Sequence, residues 1–209
     1  MTLILIRHGQ TAFNIQRRFL GRTDLPLDDV GLSQAARLGD HLRNLHWDRL
    51  YSSPLLRARQ TAEAIGVPTL CAGLTEMDMG DLEGLSREEM EARYPGLLSQ
   101  WFEEPTRFRP PGGETLAEAQ ERAWAALQPL RGEGVRVVVT HQLVLAGILC
   151  RALDVPLGQF RKLSHGNTGI TTLEDRGSDL QLVKLNDLGH LDQSSIAVAS
   201  ASNSAPGTT

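Results

Sequence analysis

Two arginines and two histidines follow segments of the sequence that are predicted to be β-strands. They are Arg7 and His8 after Leu3–Ile6, Arg57 one helical turn after Asp48–Ser52, and His141 just after Val135–Val139. Ligands of open α/β sheets bind beyond the carboxyl ends of the strands. We therefore expect these four side chains to converge on one site at that edge of the sheet.

The two arginines indicate an anionic ligand, and phosphate in particular. Their planar guanidinium groups match a phosphate bidentately, whereas a neutral substrate would not offset the cost of burying both. Main-chain N–H groups after Thr140, at the start of a helix, would add donors. The surrounding positive charge should lower the pKa of His8, because it disfavours the protonated imidazole. A neutral imidazole is a nucleophile, so His8 could attack phosphorus and carry the phosphoryl group.

An alkoxide leaving from phosphorus needs a proton, which neither arginine can supply. The candidate donors are His141 and a carboxylic acid, and Glu76 is the best placed acid because it follows a short strand-like segment. Simpler interpretations compete, with Arg57 as an exposed helix arginine and Glu76 as a surface acid. His141 is harder to explain in that way, since packing favours an apolar residue at the end of a buried valine strand.

The elements that must position these residues alternate between strand and helix. Helices are predicted from about Gly31 to Leu45, from an N-cap at Ser53 to about Ile65, after capping boxes that begin at Ser86 and Thr115, and over Leu143–Leu153. Two later strands are predicted at Ile170–Leu173 and Leu180–Lys184. This alternation predicts an α/β fold, a three-layer α/β/α sandwich with a mostly parallel central sheet.

The length of 209 residues and the 41% hydrophobic content favour one domain, which we place at residues 1–192. The remaining residues, 193–209, are mostly small or polar, and we expect a disordered tail. Cys71 and Cys150 lie far apart in the sequence, which favours two buried free thiols in a reducing compartment over a disulfide.

Composition and spacing argue against several classes of partner. A net charge of −4 without any run rich in lysine or arginine argues against nucleic acid. Polar residues interrupt the longest apolar stretch, 135–149, so no membrane span is predicted. The first residues lack the basic region of a signal peptide, and we expect a cytoplasmic location. The histidines and carboxylates show no metal-ligand spacing, so no metal is expected.

Several segments, in order along the chain, form a recognisable pattern. They are Leu5–Thr11 followed by Asn14, Gly21–Leu27, Ser52–Ala62, Glu76 with Gly80 and Glu83–Gly84, Pro111–Thr115, and Val138–His141. Together they resemble the signature of the histidine phosphatase superfamily, in the branch that contains the cofactor-dependent phosphoglycerate mutases. The resemblance extends over roughly residues 3 to 191.

This resemblance implies a phosphoglycerate mutase-like fold and a phosphohistidine intermediate on His8. It also implies that Arg7, Arg57 and His141 hold the phosphoryl group, and that Glu76 acts first as an acid and then as a base. Asn14 and the Gly21 backbone would contact the same phosphate. No metal or organic cofactor is implied.

Two positions depart from the mutase pattern. Leu20 stands where the mutases carry a hydroxyl that touches phosphate, and Gln142 stands where many members have glycine. A His-Gln pair at 141–142 is similar to fructose-2,6-bisphosphatases. The segment between Glu76 and His141 is compact and lacks the basic residues with which mutases grip their bisphosphate primer. We predict its part from Ser86 to Pro110 to form a lid, with Trp101, Arg107, Phe108 and Arg109 as candidate substrate contacts.

The sequence therefore predicts a metal-independent phosphomonoesterase that acts on a small phosphorylated metabolite. The alternatives of the same class are a phosphoglycerate mutase, an α-ribazole-5′-phosphate phosphatase and a fructose-2,6-bisphosphatase-like sugar phosphatase. An alternative of another class is a phospho-ligand binding module without turnover. A homodimer is also left open.

Overall fold

The structure is a computed structural model that describes residues 1–177 and 179–191. The predicted tail, 193–209, lies outside the described residues. The strands are β1 (Thr2–Arg7), β2 (Arg49–Ser52), β3 (Thr69–Leu70), β4 (Val135–Thr140), β5 (Ile170–Asp175) and β6 (Leu180–Asp187). The α-helices are α1 (Ala12–Gln16), α2 (Asp29–Leu42), α3 (Leu56–Glu63), α4 (Arg87–Arg93), α5 (Leu97–Glu103), α6 (Leu116–Leu127) and α7 (Gln142–Ala152). Short 3₁₀ segments lie at Ala72–Leu74, Gly80–Leu82, Gln128–Leu130 and Leu157–Leu163.

Within the described residues, six strands form one sheet in the order β3-β2-β4-β1-β5-β6. The pairs β3–β2, β2–β4 and β4–β1 are parallel, whereas β1–β5 and β5–β6 are antiparallel. The predicted α/β fold with a mostly parallel sheet is confirmed. The strands β1 and β4, which precede the candidate histidines, lie side by side near the centre of the sheet.

Alternate side chains of the central strands belong to two separate apolar clusters. Leu3 and Leu5 of β1 pack in one cluster with residues of α6 and α7. Ile4 and Ile6 pack in the other cluster with residues of α2 and α3. Because successive side chains of a strand point to opposite faces, the two clusters define helix layers on both sides of the sheet. The sheet is thus covered on both faces, and the three-layer prediction is confirmed.

Two helix starts were predicted well and one was not. The side chains of Ser86 and Thr115 accept hydrogen bonds from the third residue of the helix that each begins, as a capping box requires. Helix α3, however, begins at Leu56 instead of directly after Ser53. The Ser53 hydroxyl accepts the N–H of Leu55, which precedes the helix, at 3.3 Å and lies 2.7 Å from Nε2 of His141. Asp24 Oδ1 accepts the first helical N–H, that of Leu56, at 2.6 Å. The predicted N-cap at Ser53 is therefore wrong.

The helices and cysteines of the described residues also bear on the compositional predictions. No single helix in this part of the chain is long and apolar enough to cross a membrane. The segments 142–152 and 157–163 meet that criterion only when joined, and they are bent by 113° at the break between them. Cys71 and Cys150 are both free thiols, as predicted, although Cys71 is only half-buried.

Candidate active site

The register of the two central strands brings the two histidines together. Arg7 of β1 pairs with Thr140 of β4, so the residues that follow them, His8 and His141, leave adjacent strands at the same level. The His8 N–H donates to the Thr140 carbonyl at 2.9 Å, which continues the pairing by one residue. The two imidazole centroids lie 5.1 Å apart.

His8 is held with one ring nitrogen available for attack. Its Nδ1 lies 2.6 Å from the Gly9 carbonyl, which can only accept a hydrogen bond, so Nδ1 carries the proton. Nε2 then bears the lone pair. Burial of the ring lowers the pKa of His8 well below its usual value, and the positive charges of Arg57 and Arg7 lower it further. His8 is therefore a neutral, oriented imidazole at neutral pH, which is the nucleophilic form.

His141 is fully buried at the start of α7. Its Nε2 lies 2.7 Å from the Ser53 hydroxyl, whereas no atom of the described residues hydrogen-bonds to its Nδ1. Burial lowers the pKa of His141 well below its usual value, and the charge of Arg57 acts in the same direction. An imidazole with one anchored nitrogen and one unoccupied nitrogen is suited to contact a ligand beside His8.

Arg57 is buried, so its interpretation as an exposed helix arginine is wrong. Its Nη1 donates to the Thr23 carbonyl at 2.9 Å and its Nη2 to the Gly21 carbonyl at 2.7 Å. Its Nε has no hydrogen-bond partner among the described residues. Burial lowers the pKa of Arg57 to about 10. The negative charges of nearby carboxylates, above all Glu76, act to raise it. Arg57 therefore stays a cation at neutral pH and adds positive charge to the site.

Arg7, the residue before His8, is also buried. Its Nη1 donates to the His165 carbonyl at 2.5 Å. Burial lowers the pKa of Arg7 to about 10, and the charge of Glu76 opposes that shift. The site thus contains two arginines that remain charged at neutral pH, and this charge favours an anionic ligand.

Glu76 is also buried, so its interpretation as a surface acid is wrong. Its Oε1 accepts the N–H groups of Met77 at 2.9 Å and Val144 at 3.2 Å, and its Oε2 accepts that of Leu143 at 3.2 Å. Burial raises the pKa of Glu76 above its usual value, although these hydrogen bonds and the charge of Arg57 act to lower it. A buried carboxyl group with a raised pKa is able to hold a proton for transfer.

The same contacts bear on one prediction about anion binding. The sequence predicts that main-chain N–H groups after Thr140 donate to a bound phosphate. The N–H groups of Leu143 and Val144 instead donate to the Glu76 carboxylate. Two N–H groups of a helix N-terminus, where an anion can bind, are thus engaged by a side chain of the protein.

The predicted substrate-binding residues lie around these groups. Asn14 Oδ1 accepts hydrogen bonds from Thr11 N at 3.0 Å and from Asn167 Nδ2 at 3.4 Å, which leaves its Nδ2 as the donor end. The Gly21 carbonyl is engaged by Arg57, and a Cβ at Gly21 would lie within 2.5 Å of the Met77 carbonyl oxygen. Only glycine allows this close approach.

Gln142, the third predicted binding residue, is turned toward the loop that precedes β5. Its Oε1 accepts the N–H of His165 at 3.0 Å. Because the carbonyl end of the amide is engaged, its NH₂ group is the end that could meet a phosphate. Gln142 therefore also braces the residue whose carbonyl oxygen holds Arg7.

The predicted lid residues divide between core and surface. Trp101 and Phe108 are buried against one another, with their ring centroids 4.8 Å apart, so they are core residues. Arg107 and Arg109 are exposed and pair with Glu104 and Glu118. The structure therefore gives no support to these four residues as substrate contacts.

Sequence reasoning missed three polar residues that support the site. Ser53 bonds to His141, Asn167 Nδ2 donates to the His8 carbonyl at 3.1 Å, and Arg122 contacts the segment that ends at Glu76. Nothing in the local pattern marks Asn167 or Arg122, since both act on residues more than 40 positions away. Ser53 was noticed, but as a helix cap.

The described residues contain no group of three or more histidine, cysteine, aspartate or glutamate side chains that could hold a metal ion. The positive charge at the site comes from Arg7 and Arg57, and the ionisable groups beside them are His8, His141 and Glu76. Such a set can bind a phosphate dianion, attack its phosphorus with an imidazole nitrogen and protonate a leaving oxygen.

The chain is similar to several known proteins. A family model for the histidine phosphatase superfamily (branch 1) matches residues 3–188. Phosphoserine phosphatase 1 from Hydrogenobacter thermophilus is 31% identical over 199 residues, which cover 91% of this chain and 94% of that protein. Probable phosphoglycerate mutase GpmB from Salmonella choleraesuis is 30% identical over 205 residues, which cover 92% of this chain and 95% of that protein. The structure of YhfR from Bacillus stearothermophilus matches with a TM-score of 0.85 and 31% sequence identity, and the match covers 90% of this chain and 98% of that chain.

Proposed function

Because the chain belongs to the histidine phosphatase superfamily and is a phosphoric monoester hydrolase, we propose that it hydrolyses a small phosphorylated metabolite through a phosphohistidine on His8. The observation that carries this proposal is the hydrogen bond from His8 Nδ1 to the Gly9 carbonyl, beside two charged arginines. It fixes the tautomer that presents a lone pair on Nε2 to a bound phosphate.

In the first transfer, Nε2 of His8 attacks phosphorus and the bond from phosphorus to the ester oxygen breaks. Arg7 and Arg57 balance the charge of the transferring group, and Nδ1–H of His141, whose Nε2 is held by the Ser53 hydroxyl, donates a hydrogen bond to one of its oxygens. Glu76 gives its proton to the departing alkoxide, which leaves as an alcohol. The products of this step are phospho-His8, the alcohol and an ionised Glu76.

In the second transfer, water attacks the phosphorus of phospho-His8. The Glu76 carboxylate accepts the proton that the water loses, and the bond from nitrogen to phosphorus breaks. Inorganic phosphate leaves, His8 is neutral again and Glu76 is again protonated. The raised pKa of Glu76 supports both of its roles, because the group must exchange a proton readily near neutral pH.

The first experiment tests His8 as the carrier of the phosphoryl group. Wild-type protein incubated with ³²P-labelled p-nitrophenyl phosphate should retain a label that is labile in acid and stable in base. His8→Ala should retain no label and should hydrolyse neither this ester nor an alkyl phosphate. His46→Ala is the matched control, because His46 is exposed and lies in the connection between α2 and β2. Hydrolysis at the wild-type rate by folded His8→Ala protein would overturn the proposal.

The second experiment tests Glu76 as the acid. p-Nitrophenolate leaves readily without a proton, whereas an alkoxide does not. Glu76→Gln should therefore slow the first transfer about 10²–10⁴-fold with an alkyl phosphate and very little with p-nitrophenyl phosphate. Pre-steady-state burst kinetics are needed, because loss of the base in the second transfer slows both substrates alike. An equal effect on both bursts would remove Glu76 from the role of acid.

The alkyl phosphate for these assays is chosen by a panel. 3-Phosphoglycerate, fructose 2,6-bisphosphate and α-ribazole 5′-phosphate represent the alternatives drawn from the sequence, and the similar phosphoserine phosphatase adds O-phosphoserine. Release of inorganic phosphate without isomerisation of 3-phosphoglycerate is the expected result. Isomerisation that exceeds hydrolysis would establish the mutase alternative.

A further inference from the structure

The main-chain carbonyl groups of the four consecutive residues from Gly73 to Glu76 each accept a hydrogen bond from a side chain. Arg122 Nη1 donates to those of Gly73 and Thr75 at 2.8 and 2.9 Å, and Arg122 Nη2 donates to that of Glu76 at 3.3 Å. The Leu74 carbonyl is taken by the Thr140 hydroxyl at 2.7 Å. One guanidinium group on α6 therefore holds three of the four carbonyls.

Arg122 is itself fixed in place. Its Nε and Nη2 form a two-point contact with the Glu114 carboxylate, at 3.0 and 2.8 Å. Glu114 also accepts hydrogen bonds from Arg22 at 2.9 Å and from the Asp78 N–H at 3.1 Å. A planar guanidinium group that is hydrogen-bonded on several edges cannot rotate freely. Arg122 therefore holds residues 73–76 in a fixed position.

Residues 73–76 depend on these hydrogen bonds for their position because they have little regular secondary structure of their own. The 3₁₀ segment ends at Leu74, and the chain continues through Thr75 in an extended conformation. The Glu76 carboxyl group is meanwhile held at its other end by the N–H groups of α7. The placement of the proton relative to a bound ester thus depends on two attachments, one at the side chain and one at the backbone.

We propose that Arg122 is a positioning residue for the acid, which acts on the reaction through the placement of Glu76. This inference rests on the proposed function, in which Glu76 protonates the leaving group. Displacement of a catalytic group by about 1 Å can cost on the order of 10²-fold in rate. A residue that only stabilises the loop would instead change the folding stability and slow all substrates equally.

The test compares burst rate constants for p-nitrophenyl phosphate and for the alkyl phosphate that the panel identifies. Arg122→Ala should slow the alkyl burst about 10- to 100-fold and change the aryl burst by less than about threefold. In the Glu76→Gln background, the same substitution should have almost no further effect on the alkyl burst, because the group on which it acts is absent. Arg122→Lys, which retains a cationic donor, should recover part of the lost alkyl rate.

Arg151→Ala is the matched control, since Arg151 lies on neighbouring α7 and pairs at the surface with Glu121. It should leave both bursts unchanged. If Arg122→Ala does not fold, Glu114→Gln and Arg122→Lys test the same contact with smaller changes and should show the same selectivity.

The outcomes separate this inference from the proposed function. Equal slowing of both bursts, or an alkyl effect that persists in the Glu76→Gln background, would overturn the role of Arg122. Absence of selectivity in Glu76→Gln itself would overturn the assignment of Glu76 as the acid.

Discussion

His165 offers a prediction that links one buried side chain to the pH dependence of stability. Its ring is fully buried, with Nδ1 2.9 Å from the Leu163 carbonyl and Nε2 hydrogen-bonded to the Thr171 hydroxyl. A carbonyl can only accept, so Nδ1 carries the proton and Nε2 accepts from the hydroxyl. The Thr171 oxygen also accepts the Asn186 N–H at 2.9 Å. These contacts are satisfied by the neutral ring, and protonation of Nε2 would disrupt them.

Burial lowers the pKa of His165 to about 4 from an ordinary value of 6.5, with the charge of Arg7 assisting and the Leu163 contact opposing. As the pH falls below about 6.5, the unfolded chain binds a proton at this position before the native state does. The contribution to stability is therefore complete above that pH and is lost progressively toward pH 4. Linkage through these two pKa values gives a loss of about 2 kcal/mol at pH 5 relative to pH 8.

The assay is urea unfolding at pH 8 and pH 5, with the wild type compared with His165→Asn. Other buried histidines also titrate, so the difference between the two proteins isolates His165. Between the two pH values, the wild type should lose about 2 kcal/mol more of its free energy of unfolding than the variant does. His46→Asn should keep most of the wild-type dependence, because the contact of His46 with Asp48 is exposed to solvent and contributes little. Equal losses in the wild type and in His165→Asn would refute the reasoning, as would an NMR titration of the His165 ring with a pKa near 6.5.

Two further predictions concern the site. Hydrolysis should survive exhaustive dialysis against EDTA, because Arg7 and Arg57 supply the positive charge that a metal ion would otherwise provide. A loss of activity that a divalent ion restores would contradict this prediction. Ser53→Ala should lower the free energy of unfolding by about 1–3 kcal/mol and reduce kcat, because it removes the partner of the buried His141 Nε2. Ser99→Ala, at an exposed helix position, is its control. Equal free energies of unfolding and equal kcat in the two variants would show that the Ser53 hydroxyl does not orient the His141 ring.

The sheet and the meeting of the two histidines could be predicted because both depend on local composition. The apolar runs at 3–6 and 135–139 become buried strands, and the rule that places ligands at carboxyl ends needs no knowledge of strand order. The parallel pairing of β1 with β4 then places His8 beside His141. Arg57 follows the neighbouring strand, β2, and reaches the same edge.

Contacts between distant segments could not be predicted, because no local pattern encodes them. Helix α3 takes its cap from Asp24, which lies 32 positions before Leu56. Helix α7 takes its cap from Glu76, which lies 67 positions before Leu143. In each case a carboxylate from another part of the chain occupies a place that sequence rules assign to a neighbouring residue or to a ligand. The support that Arg122 gives to Glu76 is equally invisible before the fold is known.

The register of β1 and β4 also limits how this protein can evolve. Both strands are buried on both faces, so an insertion or deletion of one residue in either strand would exchange the side chains of its two faces and separate His8 from His141. The segment 86–110 carries no residue of the candidate chemistry, and its two short helices, α4 and α5, can change length without altering that register. The lengths of the two central strands should therefore remain constant in descendants of this chain, whereas changes of length should be tolerated better in the segment 86–110.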